Sequence, residues 1–387
     1  MLIPSIFFGT AALFAVGACA ALWPLRWPRR LPPLDSLTPE NTEASQGKVR
    51  CSVIVAARDE EARIEQTVRR LLVQRGVELE LIVVDDRSTD RTGEILEQLA
   101  KEDSRLMVVR IKALPEGWLG KCHACHVGAS AARGEWILFT DADCWSKSDV
   151  LLRAVRVAER EGVEHVTVTS GLAVKSPGLR AGSLLFHLSI ANWISGVNRD
   201  RQNAHVGFGA FNLVRASAYR ACGGYEALRL TVIDDLKLGL LLRRAGKRTR
   251  AYIGADDVEA LWGTRLWDVV RLMEKNHFAA LEFNLPLALG VGAFFILLIS
   301  IVALGAVSGT GSGLAAALSP FCLVVPAAVL ARRIRWPWTI ALGVPFTLPV
   351  VMVCSLLNST FKTLWRGGIR WRETFYPLDA LRAGRVR

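Results

Sequence analysis

Two aspartates at the end of an apolar run are the residues of this sequence best suited to hold a metal ion. Asp141 and Asp143 close the run WILFTDAD, and residues i and i+2 of an extended chain point to the same side. Two carboxylates placed in this way can share a hard divalent cation, Mg²⁺ or Mn²⁺, which commonly completes its shell with phosphate oxygens. Such a metal would neutralise charge on a departing diphosphate. The alternative interpretation is a solvated turn.

A second acidic pair follows another apolar run. LELIVV leads into Asp85 and Asp86, and Ser88, Thr89 and Asp90 come shortly after. Carboxylates at a strand end can accept hydrogen bonds from a base ring NH or from ribose hydroxyls, and the free NH groups of a helix start favour anions. Ser, Thr and Asp are also ordinary helix caps, but capping does not explain two adjacent acids before them.

A third pair, Asp234 and Asp235, begins the apolar-periodic helical pattern in TVIDDLKLGLLLRRAG. Neighbouring helical residues do not share a face, so at most one of the two points into a site. That carboxylate could take the proton from an attacking hydroxyl as a general base. The alternative is that both acids only complement the positive end of the helix.

The segments around these acids alternate between strand-like and helix-like patterns from about Arg50 to Asn284. The strand patterns are CSVIVAA, LELIVVDD, LMVVRI, EWILFTDAD and HVTVTSG, and the helical patterns are EEARIEQTVRRLLVQ, TGEILEQLAKE and CHACHVGASAA. This alternation predicts a doubly wound α/β domain. Such sheets bind ligands where strands end and loops begin, which is where the first two acidic pairs lie.

Three charge-free stretches predict a membrane part on both sides of this domain. Residues 2–25 are followed directly by three arginines, the order expected of an uncleaved anchor whose C-terminal side is cytosolic. Residues 283–331 are long enough for two crossings of about 20 residues each, with a turn at SGTGSG. Residues 336–361 contain three prolines and have basic residues on both flanks. Charge places both flanks in the cytosol, which one simple crossing cannot satisfy.

These patterns divide the chain into five predicted regions. They are an N-terminal transmembrane anchor (1–25), a cytosolic catalytic domain (50–262), an amphipathic interfacial helix (263–284), C-terminal membrane segments (285–361) and a basic cytosolic tail (362–387).

The composition agrees with a membrane protein. Hydrophobic residues make up 51% of the chain and the mean hydropathy is +0.28, which is more apolar than a soluble enzyme needs. The net charge of +12 would suit nucleic acid, anionic lipid or phosphorylated substrates, but Lys and Arg also collect beside membrane spans, and we expect no nucleic-acid partner. The eight cysteines are scattered, which favours reduced thiols over a disulfide framework.

Taken together, the motifs resemble those of a known enzyme family. VVDDRSTD, GKCHACHVGASAARGEWILFTDAD, GFGAFNLVRASAYRACGGYE and IDDLKLGLLLRRAG are similar, in order and spacing, to the motifs of the family 2 glycosyltransferases. The resemblance covers residues 49–284 and the membrane arrangement. It implies the GT-A (nucleotide-diphospho-sugar transferase) fold, a doubly wound α/β domain, with N- and C-terminal transmembrane helices.

The resemblance also implies roles for the acids of the first two pairs. Glu60 of the ARDEE turn, together with Asp85 and Asp86, would contact the nucleotide of the donor. Asp141 and Asp143 would be the pair that binds the metal and, through it, the diphosphate.

Further residues follow from the same resemblance. Asp235 matches the second acid of the family's Glu-Asp motif and would be the catalytic base, with Asp234 beside it as the other acid of the motif. Lys121 falls in the GK step before the donor-side helix, where a cation could reach phosphate oxygens. The alternative for Lys121 is a solvated lysine at a helix start.

Within the family, three segments look most similar to the membrane-bound branch. These are GW-x-GK, IDD in place of Glu-Asp, and GGIRWRETFYPL, and the branch includes hopanoid-associated and carotenoid-type glycosyltransferases related to ceramide glucosyltransferases. The similarity implies a lipid or lipid-linked acceptor and a UDP-hexose donor. The expected reaction is an inverting, metal-dependent transfer of a single hexose at the cell membrane, by a domain that faces the cytosol.

Other functions are disfavoured by particular residues. A processive polysaccharide synthase expects Gln-x-x-Arg-Trp after the base, where this chain reads LWDVVRLMEKNHFAALEF, and a haloacid dehalogenase usually has Thr or Val where Trp145 stands. A nucleotide-dependent oxidoreductase expects G-x-G-x-x-G after the first strand, but CSVIVAARDEEARI has no glycine. CHACH offers zinc-ligand residue types without a second cluster to close a tetrahedral site. A non-enzymatic membrane protein with a degenerate domain would show no metal-dependent donor binding.

Overall fold

The computed structural model of the chain describes residues 2–37 and 49–386. The α-helices are α1 (Leu2–Leu22), α2 (Ile64–Leu72), α3 (Thr92–Glu102), α4 (Gly120–Ala131), α5 (Val150–Glu161), α6 (Pro177–Val197), α7 (Ala216–Ala221), α8 (Asp234–Arg244), α9 (Asp268–Leu272), α10 (His277–Ala280), α11 (Leu285–Val307), α12 (Gly311–Leu318), α13 (Val324–Arg333), α14 (Val344–Leu348), α15 (Ser355–Arg366) and α16 (Leu378–Ala383). The strands are β1 (Val49–Ala57), β2 (Val77–Asp86), β3 (Leu106–Ile111), β4 (Trp136–Asp141), β5 (Cys144–Ser146), β6 (His165–Thr169), β7 (Gly171–Leu172), β8 (Asn212–Arg215), β9 (Thr249–Ile253), β10 (Val258–Ala260), β11 (Gly368–Trp371) and β12 (Thr374–Pro377).

The chain divides into two compact units. The sheet unit comprises Arg29–Gly171, Gly196–Leu261 and Ala383–Arg387. The helical unit comprises Met1–Pro28, Leu172–Ser195 and Trp262–Arg382.

The sheet unit is built on a seven-stranded sheet with the order β3-β2-β1-β4-β8-β6-β9. β1 pairs in parallel with β2 and with β4, β2 pairs in parallel with β3, and β6 pairs in parallel with β9. β8 runs antiparallel between β4 and β6. A smaller sheet has the order β5-β10-β7. This mainly parallel sheet with helices between its strands confirms the doubly wound α/β prediction.

The register brings three strand ends to one edge of the large sheet. Ala57 of β1 is paired with Asp85 of β2, and Ala56 is paired with Asp141 of β4. Because parallel strands run in the same direction, their carboxyl ends and the loops that follow share this edge. Acids that are far apart in the chain are therefore neighbours in space.

The central strands are covered on both faces, which explains their continuous apolar sequences. Val53, Ile54 and Val55 of β1 are 0% exposed. Helix α4 approaches this strand closely at Gly128, where a Cβ atom would lie 2.6 Å from Ile54 Cγ2. The close approach holds the helix that begins at the GK step firmly against the sheet.

The helical unit contains helical segments that are long and apolar enough to cross a membrane. Among the described residues there are four, namely Ile3–Arg26, Leu285–Val307, Gly311–Arg333 and Trp338–Arg366. The turn between the second and third falls at SGTGSG, where the Thr310 side chain accepts a hydrogen bond from the Gly313 N–H and so begins α12. The apolar helices predicted on both sides of the α/β domain are present.

The last of these segments, Trp338–Arg366, changes its winding along its length. It begins as a 3₁₀-helix, continues through α14, passes through a π-helical stretch at Pro349–Cys354 and ends in α15. Pro345 and Pro349 have no N–H to offer to a regular α-helical ladder, which accounts for these changes.

Two parts of the helical unit differ from the sequence expectation. Helix α6 has no counterpart among the predicted elements, and Leu172–Ser195 belongs to the helical unit although it interrupts the sheet unit in the chain. The stretch 263–284, expected as one helix, forms two short helices, α9 and α10, separated by a turn. In that turn the Glu274 carboxylate binds Lys362 and Arg366, a long-range pairing that no local pattern signals.

Candidate active site

The aspartates at the end of β4 form a compact acidic group. Ligand atoms of Asp141, Asp143 and Cys144 all lie within 4.8 Å of one another. Burial raises the pKa of Asp143, and the nearby charge of Asp141 raises it further. Two carboxylates that repel each other in a partly buried site are a favourable place for a cation, so these residues fit the predicted Mg²⁺ or Mn²⁺.

The third member of the group is a poor ligand for such a metal. Cys144 is buried, and burial followed by the charges of Asp143 and Asp141 raises the pKa of its thiol well above the usual range. The thiol lies 3.7 Å from Asp143 Oδ1, to which it donates. Hard cations prefer oxygen to sulfur. The two carboxylates are therefore the donor set that suits the metal.

Lys121 lies between two carboxylates at the start of α4. Its Nζ is 2.8 Å from Asp141 Oδ1 and 3.4 Å from Asp234 Oδ1, and its side chain is 19% exposed. Burial alone would lower the pKa of Lys121, but the charges of Asp141, Asp234 and Asp235 outweigh burial and raise it well above the usual range. Lys121 is therefore a fixed cation inside the site and is not a solvated lysine at a helix start.

The two acids that begin α8 point in different directions. Asp234 is 3% exposed, and its Oδ2 accepts a hydrogen bond of 2.9 Å from the Tyr225 hydroxyl. Asp235 Oδ2 accepts one of 2.7 Å from the Gly209 N–H, and Asp235 lines the pocket described below. The divergence follows from the helix, since neighbouring positions do not share a face.

The environment of Asp235 favours a carboxyl group that binds a proton near neutral pH. Burial raises its pKa to about 6, the adjacent Asp234 adds to the increase, and Lys121 partly offsets it. A pKa in this range suits a general base, which must be deprotonated in the free enzyme and still accept a proton during reaction.

Gly209 joins the candidate base to the acidic group on β4, and sequence reasoning did not single it out. Its carbonyl accepts a hydrogen bond from the Asp141 N–H, at 3.1 Å, while its N–H donates to Asp235. A Cβ atom at Gly209 would lie 2.6 Å from Asp141 Oδ2 and 3.4 Å from Asp235 Oδ2. The close approach of the two carboxylates thus requires glycine at this position, and the only sequence signal was the short GFGAF run.

Asp85 and Asp86 face opposite sides of the sheet, as successive strand residues must. Asp85 Oδ1 accepts a hydrogen bond from the Ser88 N–H at 3.2 Å, so this acid holds its own loop. Asp86 is held by the Arg87 guanidinium, with Nε to Oδ1 at 2.7 Å and a second bond of 3.0 Å. A Cβ atom at Gly120 would lie 2.4 Å from Asp86 Oδ2. Asp86 is therefore on the side of α4, close to the GK step.

Glu60 connects the loop after β1 to the loop after β2. Its N–H donates to Thr92 Oγ1 at 2.7 Å, and its carbonyl accepts from the Ile64 N–H at 2.9 Å where α2 begins. The Glu60 carboxylate faces the Arg63 guanidinium at 3.5 Å. The structure thus places this acid at the same sheet edge as Asp85.

A pocket opens at this edge of the sheet. Its lining consists of Ala56, Lys121, Cys125, Phe139, Thr140, Asp141, Gly209, Asn212, Tyr225 and Asp235. The pocket brings together the cation of α4, one acid of β4 and the inward acid of α8. Glu60, Asp85 and Asp86 are not among the lining residues.

The CHACH run does not form a zinc site. Cys122 and Cys125 are buried, and the rings of His123 and His126 pack against Trp118, with centroids 5.3 and 5.1 Å away. Within residues 2–37 and 49–386, the group at the end of β4 is the one set of His, Cys, Asp or Glu side chains arranged closely enough to hold a metal. The run therefore serves helix packing.

The comparison with curated proteins finds relatives over about half of this chain. A beta-monoglucosyldiacylglycerol synthase from Nostoc sp. is 33% identical over 193 residues, which cover 48% of this chain and 40% of that protein. A 4,4'-diaponeurosporenoate glycosyltransferase from Staphylococcus aureus is 27% identical over 192 residues, covering 49% of this chain and 50% of that protein. The chain thus spans half or less of the length of these relatives.

A solved structure and a family model agree with the fold. The mannosyltransferase PcManGT from Pyrobaculum calidifontis, solved in complex with GDP-Man and Mn²⁺, superposes with a TM-score of 0.57 at 21% identity and covers 94% of this chain and 99% of that one. The model of Glycosyl transferase family 2 matches residues 52–223, which include β1, β2 and β4 with their acidic ends. The family 2 model thus matches residues 52–223 of this chain, and the superposition shows that the chain has the GT-A fold.

Proposed function

We propose that this protein transfers a single hexose from a nucleotide sugar, a UDP-hexose in the cell, to a lipid or lipid-linked acceptor at the membrane. The observation that carries the proposal is the convergence of Lys121, Asp141 and Asp235 on one pocket in a family 2 domain. A fixed cation, a metal-binding carboxylate and a carboxyl group with a raised pKa are the groups that glycosyl transfer from a diphosphate requires.

The donor would bind along the edge where β1, β2 and β4 end. Asp141 and Asp143 would hold the divalent metal, Mg²⁺ or Mn²⁺, which when bound neutralises charge on the departing diphosphate. The Lys121 ammonium would contact phosphate oxygens from the start of α4. Glu60, Asp85 and Asp86 would contact the nucleotide of the donor, and the Asp85 carboxylate also holds the loop that follows β2.

Asp235 would act on the acceptor. Its carboxylate takes the proton of the attacking hydroxyl while the hydroxyl oxygen forms a bond to the anomeric carbon. The bond from that carbon to the diphosphate oxygen breaks, and the leaving group keeps the electron pair, which the charge of Lys121 stabilises. A single displacement of this kind inverts the configuration at the anomeric carbon. If the acceptor were a carboxylate, which needs no deprotonation, Asp235 would matter less.

Two observations support a lipid acceptor, and a third supports the transfer of a single sugar. The helical unit has four segments that are long and apolar enough to span a membrane. The two relatives described above are named for a diacylglycerol lipid and for a carotenoid acid. The chain also has no Gln-x-x-Arg-Trp motif after Asp235, which favours transfer of one sugar over polymer synthesis.

We place the sheet unit on the cytosolic face of the cell membrane, with several crossings in the helical unit. Basic residues follow the apolar segments Ile3–Arg26 and Gly311–Arg333 directly in the sequence. Lys and Arg collect on the cytosolic side of membrane spans. This location would give the enzyme access to cytosolic nucleotide sugars and to lipid in the same membrane.

The test is sugar transfer by the full chain in detergent. Radiolabelled UDP- and GDP-sugars are supplied with membrane lipid extract, with and without Mn²⁺, to the wild-type protein and to Asp143→Ala. We expect metal-dependent label in an organic-phase product with one donor, and loss of that label in the variant. Label in a long water-soluble polymer would point to a processive synthase. No donor consumption across the panel would overturn the proposal.

A further inference from the structure

The segment Trp338–Arg366 has the length and hydropathy of a membrane span, but its two ends carry the same charge signal. Arg332, Arg333 and Arg335 precede it, and Arg370 and Arg372 follow it. Basic residues on both flanks favour the cytosol for both ends. A helix of this length would reach about 43 Å at 1.5 Å per residue, more than enough to put its ends on opposite surfaces.

The beginning of the segment contacts residues that lie next to the sheet unit in the chain. The Arg333 guanidinium donates a hydrogen bond of 3.2 Å to the Arg26 carbonyl, and Pro28 is where the chain leaves the helical unit for the sheet unit. The Arg180 guanidinium lies over the Trp336 ring, 5.9 Å from its centroid. Arg180 belongs to α6, and the chain enters the sheet unit at both ends of Leu172–Ser195.

The middle of the segment contacts the same helix. A Cβ atom at Gly343 would lie 2.9 Å from the Ala181 Cβ, and one at Gly182 would lie 3.7 Å from Val351 Cγ2. Backbones therefore approach closely at two points along the segment, which small residues permit. The contact with α6 continues well past the first turn of the segment.

The end of the segment contacts the stretch that follows the sheet unit directly. Asn358 Nδ2 donates to the Val270 carbonyl at 3.3 Å, and the Phe278 N–H donates to Ser359 Oγ at 3.0 Å. Arg366 binds the Glu274 carboxylate at 2.8 Å. These partners come 9 to 17 residues after Leu261, the last residue of the sheet unit before the chain returns to the helical unit.

A crossing helix could not make all three sets of contacts. A charged domain such as the sheet unit stays on one side of a bilayer. The stretches of the helical unit that adjoin it in the chain therefore begin on that same side. The segment touches such stretches at its beginning, its middle and its end. A crossing would carry the end through a hydrocarbon core of about 30 Å, away from Val270, Glu274 and Phe278.

The depth of the segment follows from its contact with α11. A Cβ atom at Gly292 would lie 3.5 Å from Leu357 Cδ2. Gly292 is two turns into α11, which places it about 10 Å from the start of that helix. Helices that lie in the membrane surface bury their apolar faces by about 5–10 Å, so this contact matches a shallow position.

The two faces of the segment differ in the way that such a position requires. Large apolar side chains recur at intervals of four in each half and are 40% or more exposed; they are Trp338, Leu342, Phe346, Leu357, Phe361 and Trp365. The opposite face of α15 buries small polar residues, among them Ser355, Ser359 and Thr363. The exposed face is too apolar for water and suits lipid.

We propose that Trp338–Arg366 does not cross the membrane. It lies along the cytosolic surface of the bilayer, with its exposed aromatic and aliphatic face among the acyl chains of that leaflet and with both of its ends in the cytosol. The arrangement rests on the membrane location proposed above. It leaves Ile3–Arg26, Leu285–Val307 and Gly311–Arg333 as the crossings. The hairpin of β11 and β12, which follows the segment directly, then lies on the cytosolic side of the membrane.

The first experiment asks which side of the membrane the hairpin occupies. The native residues Cys19, Cys222, Cys322 and Cys354, which are not buried, are replaced by Ser. One cysteine is then added as Glu373→Cys or, as the matched control in the first turn of α12, as Ser312→Cys. A membrane-impermeant maleimide is applied to intact and to permeabilised cells. We expect Ser312→Cys to react in intact cells and Glu373→Cys only after permeabilisation. Reaction of Glu373→Cys in intact cells would show a crossing and overturn the proposal.

The second experiment separates a helix in the membrane surface from a loop that dips in and returns. Spin labels are placed singly at Leu342, Phe346, Leu357 and Phe361, and their depths are measured in vesicles by collision with oxygen and with a polar nickel complex. We expect depths that agree within about 5 Å and stay near the surface. A clear maximum in the middle of the segment would indicate a re-entrant loop and overturn the proposal.

The control helix is α11. Labels at Leu289, Leu297 and Leu304 should span about 22 Å along a crossing helix. None of these readouts depends on sugar transfer, so failure of the proposed chemistry would leave them interpretable. Absence of the wild-type protein from the membrane fraction would instead overturn the membrane location, and this inference with it.

Discussion

The acidic pairs at the ends of β4 and at the start of α8 show how spacing decides whether two carboxylates act together. Asp141 and Asp143 are separated by one residue at a strand end, and their ligand atoms lie in one compact group. Asp234 and Asp235 are adjacent on a helix, and only Asp235 lines the pocket. The first pair suits one shared cation, whereas the second divides into a buried support, Asp234, and a reactive group that lines the pocket, Asp235.

Replacing the reactive member of the helical pair should have the largest effect. In Asp235→Asn the side chain keeps its shape but cannot take a proton, so the transfer rate should fall by about 10³-fold. Binding of the nucleotide diphosphate, measured by titration calorimetry with Mn²⁺, should be unchanged. A rate close to wild type would contradict the assignment of the base unless the acceptor proves to be a carboxylate.

Replacing one member of the strand-end pair should have the next largest effect and should act on donor binding. Asp143→Asn removes one charge from the metal pair, so we expect about 10²-fold weaker metal-dependent binding of nucleotide diphosphate. Calorimetry with and without Mn²⁺ measures this change. The matched control is Cys144→Ser, which keeps both carboxylates and should bind normally. Equal binding by Asp143→Asn and wild type would contradict a shared metal site.

The pH dependence of transfer should report the raised pKa of Asp235. Below the pKa of about 6 the carboxyl group is increasingly protonated and cannot act as a base, so the rate should fall about tenfold for each pH unit well below that value and level off above it. The measurement is kcat/KM between pH 4.5 and 8, a range we choose to bracket the pKa. Asp235→Asn should lose the inflection, and an inflection that persists in the variant would assign it to another group.

The smallest effect is expected at the support of the helical pair. Tyr225→Phe removes the hydroxyl that donates to Asp234, so Lys121 should be held less firmly and the rate should fall by about threefold, comparable to loss of one hydrogen bond. Asp234→Asn, which also removes charge beside Lys121, should cost about tenfold. Steady-state kinetics compare the two variants. A loss in Asp234→Asn as large as that in Asp235→Asn would show that the two acids do not divide their roles.

The elements of the domain could be predicted because their signals are local. The five predicted strands and three predicted helices between Cys51 and Gly171 are all present, since apolar runs and amphipathic periods are short-range patterns. Helix α6 was missed because it is apolar on most sides and packs within the helical unit. An element of that kind shows neither the alternation of a strand nor the polar face of a surface helix.

The candidate site was predictable in its residue types but not in its connections. The acids stood out because they occur in pairs directly after apolar runs or at the start of a helical pattern. Gly209 did not, because its importance lies in the hydrogen atom that takes the place of a side chain between Asp141 and Asp235. Tyr225 was also missed, since its bond to Asp234 spans a loop and leaves no pattern in the sequence.

The sequence by itself determined the α/β alternation, the apolar segments and the positions of three acidic pairs, because each depends on residues within a few positions of one another. Only the tertiary structure decided which member of each pair faces the pocket, since that depends on the directions of neighbouring strands and helices. It also decided that Lys121 bridges two acids. It further decided that both ends of Trp338–Arg366 contact stretches that adjoin the sheet unit in the sequence. Such contacts join distant parts of the chain, and their energies come from burial and charge pairing that exist only once the chain has folded.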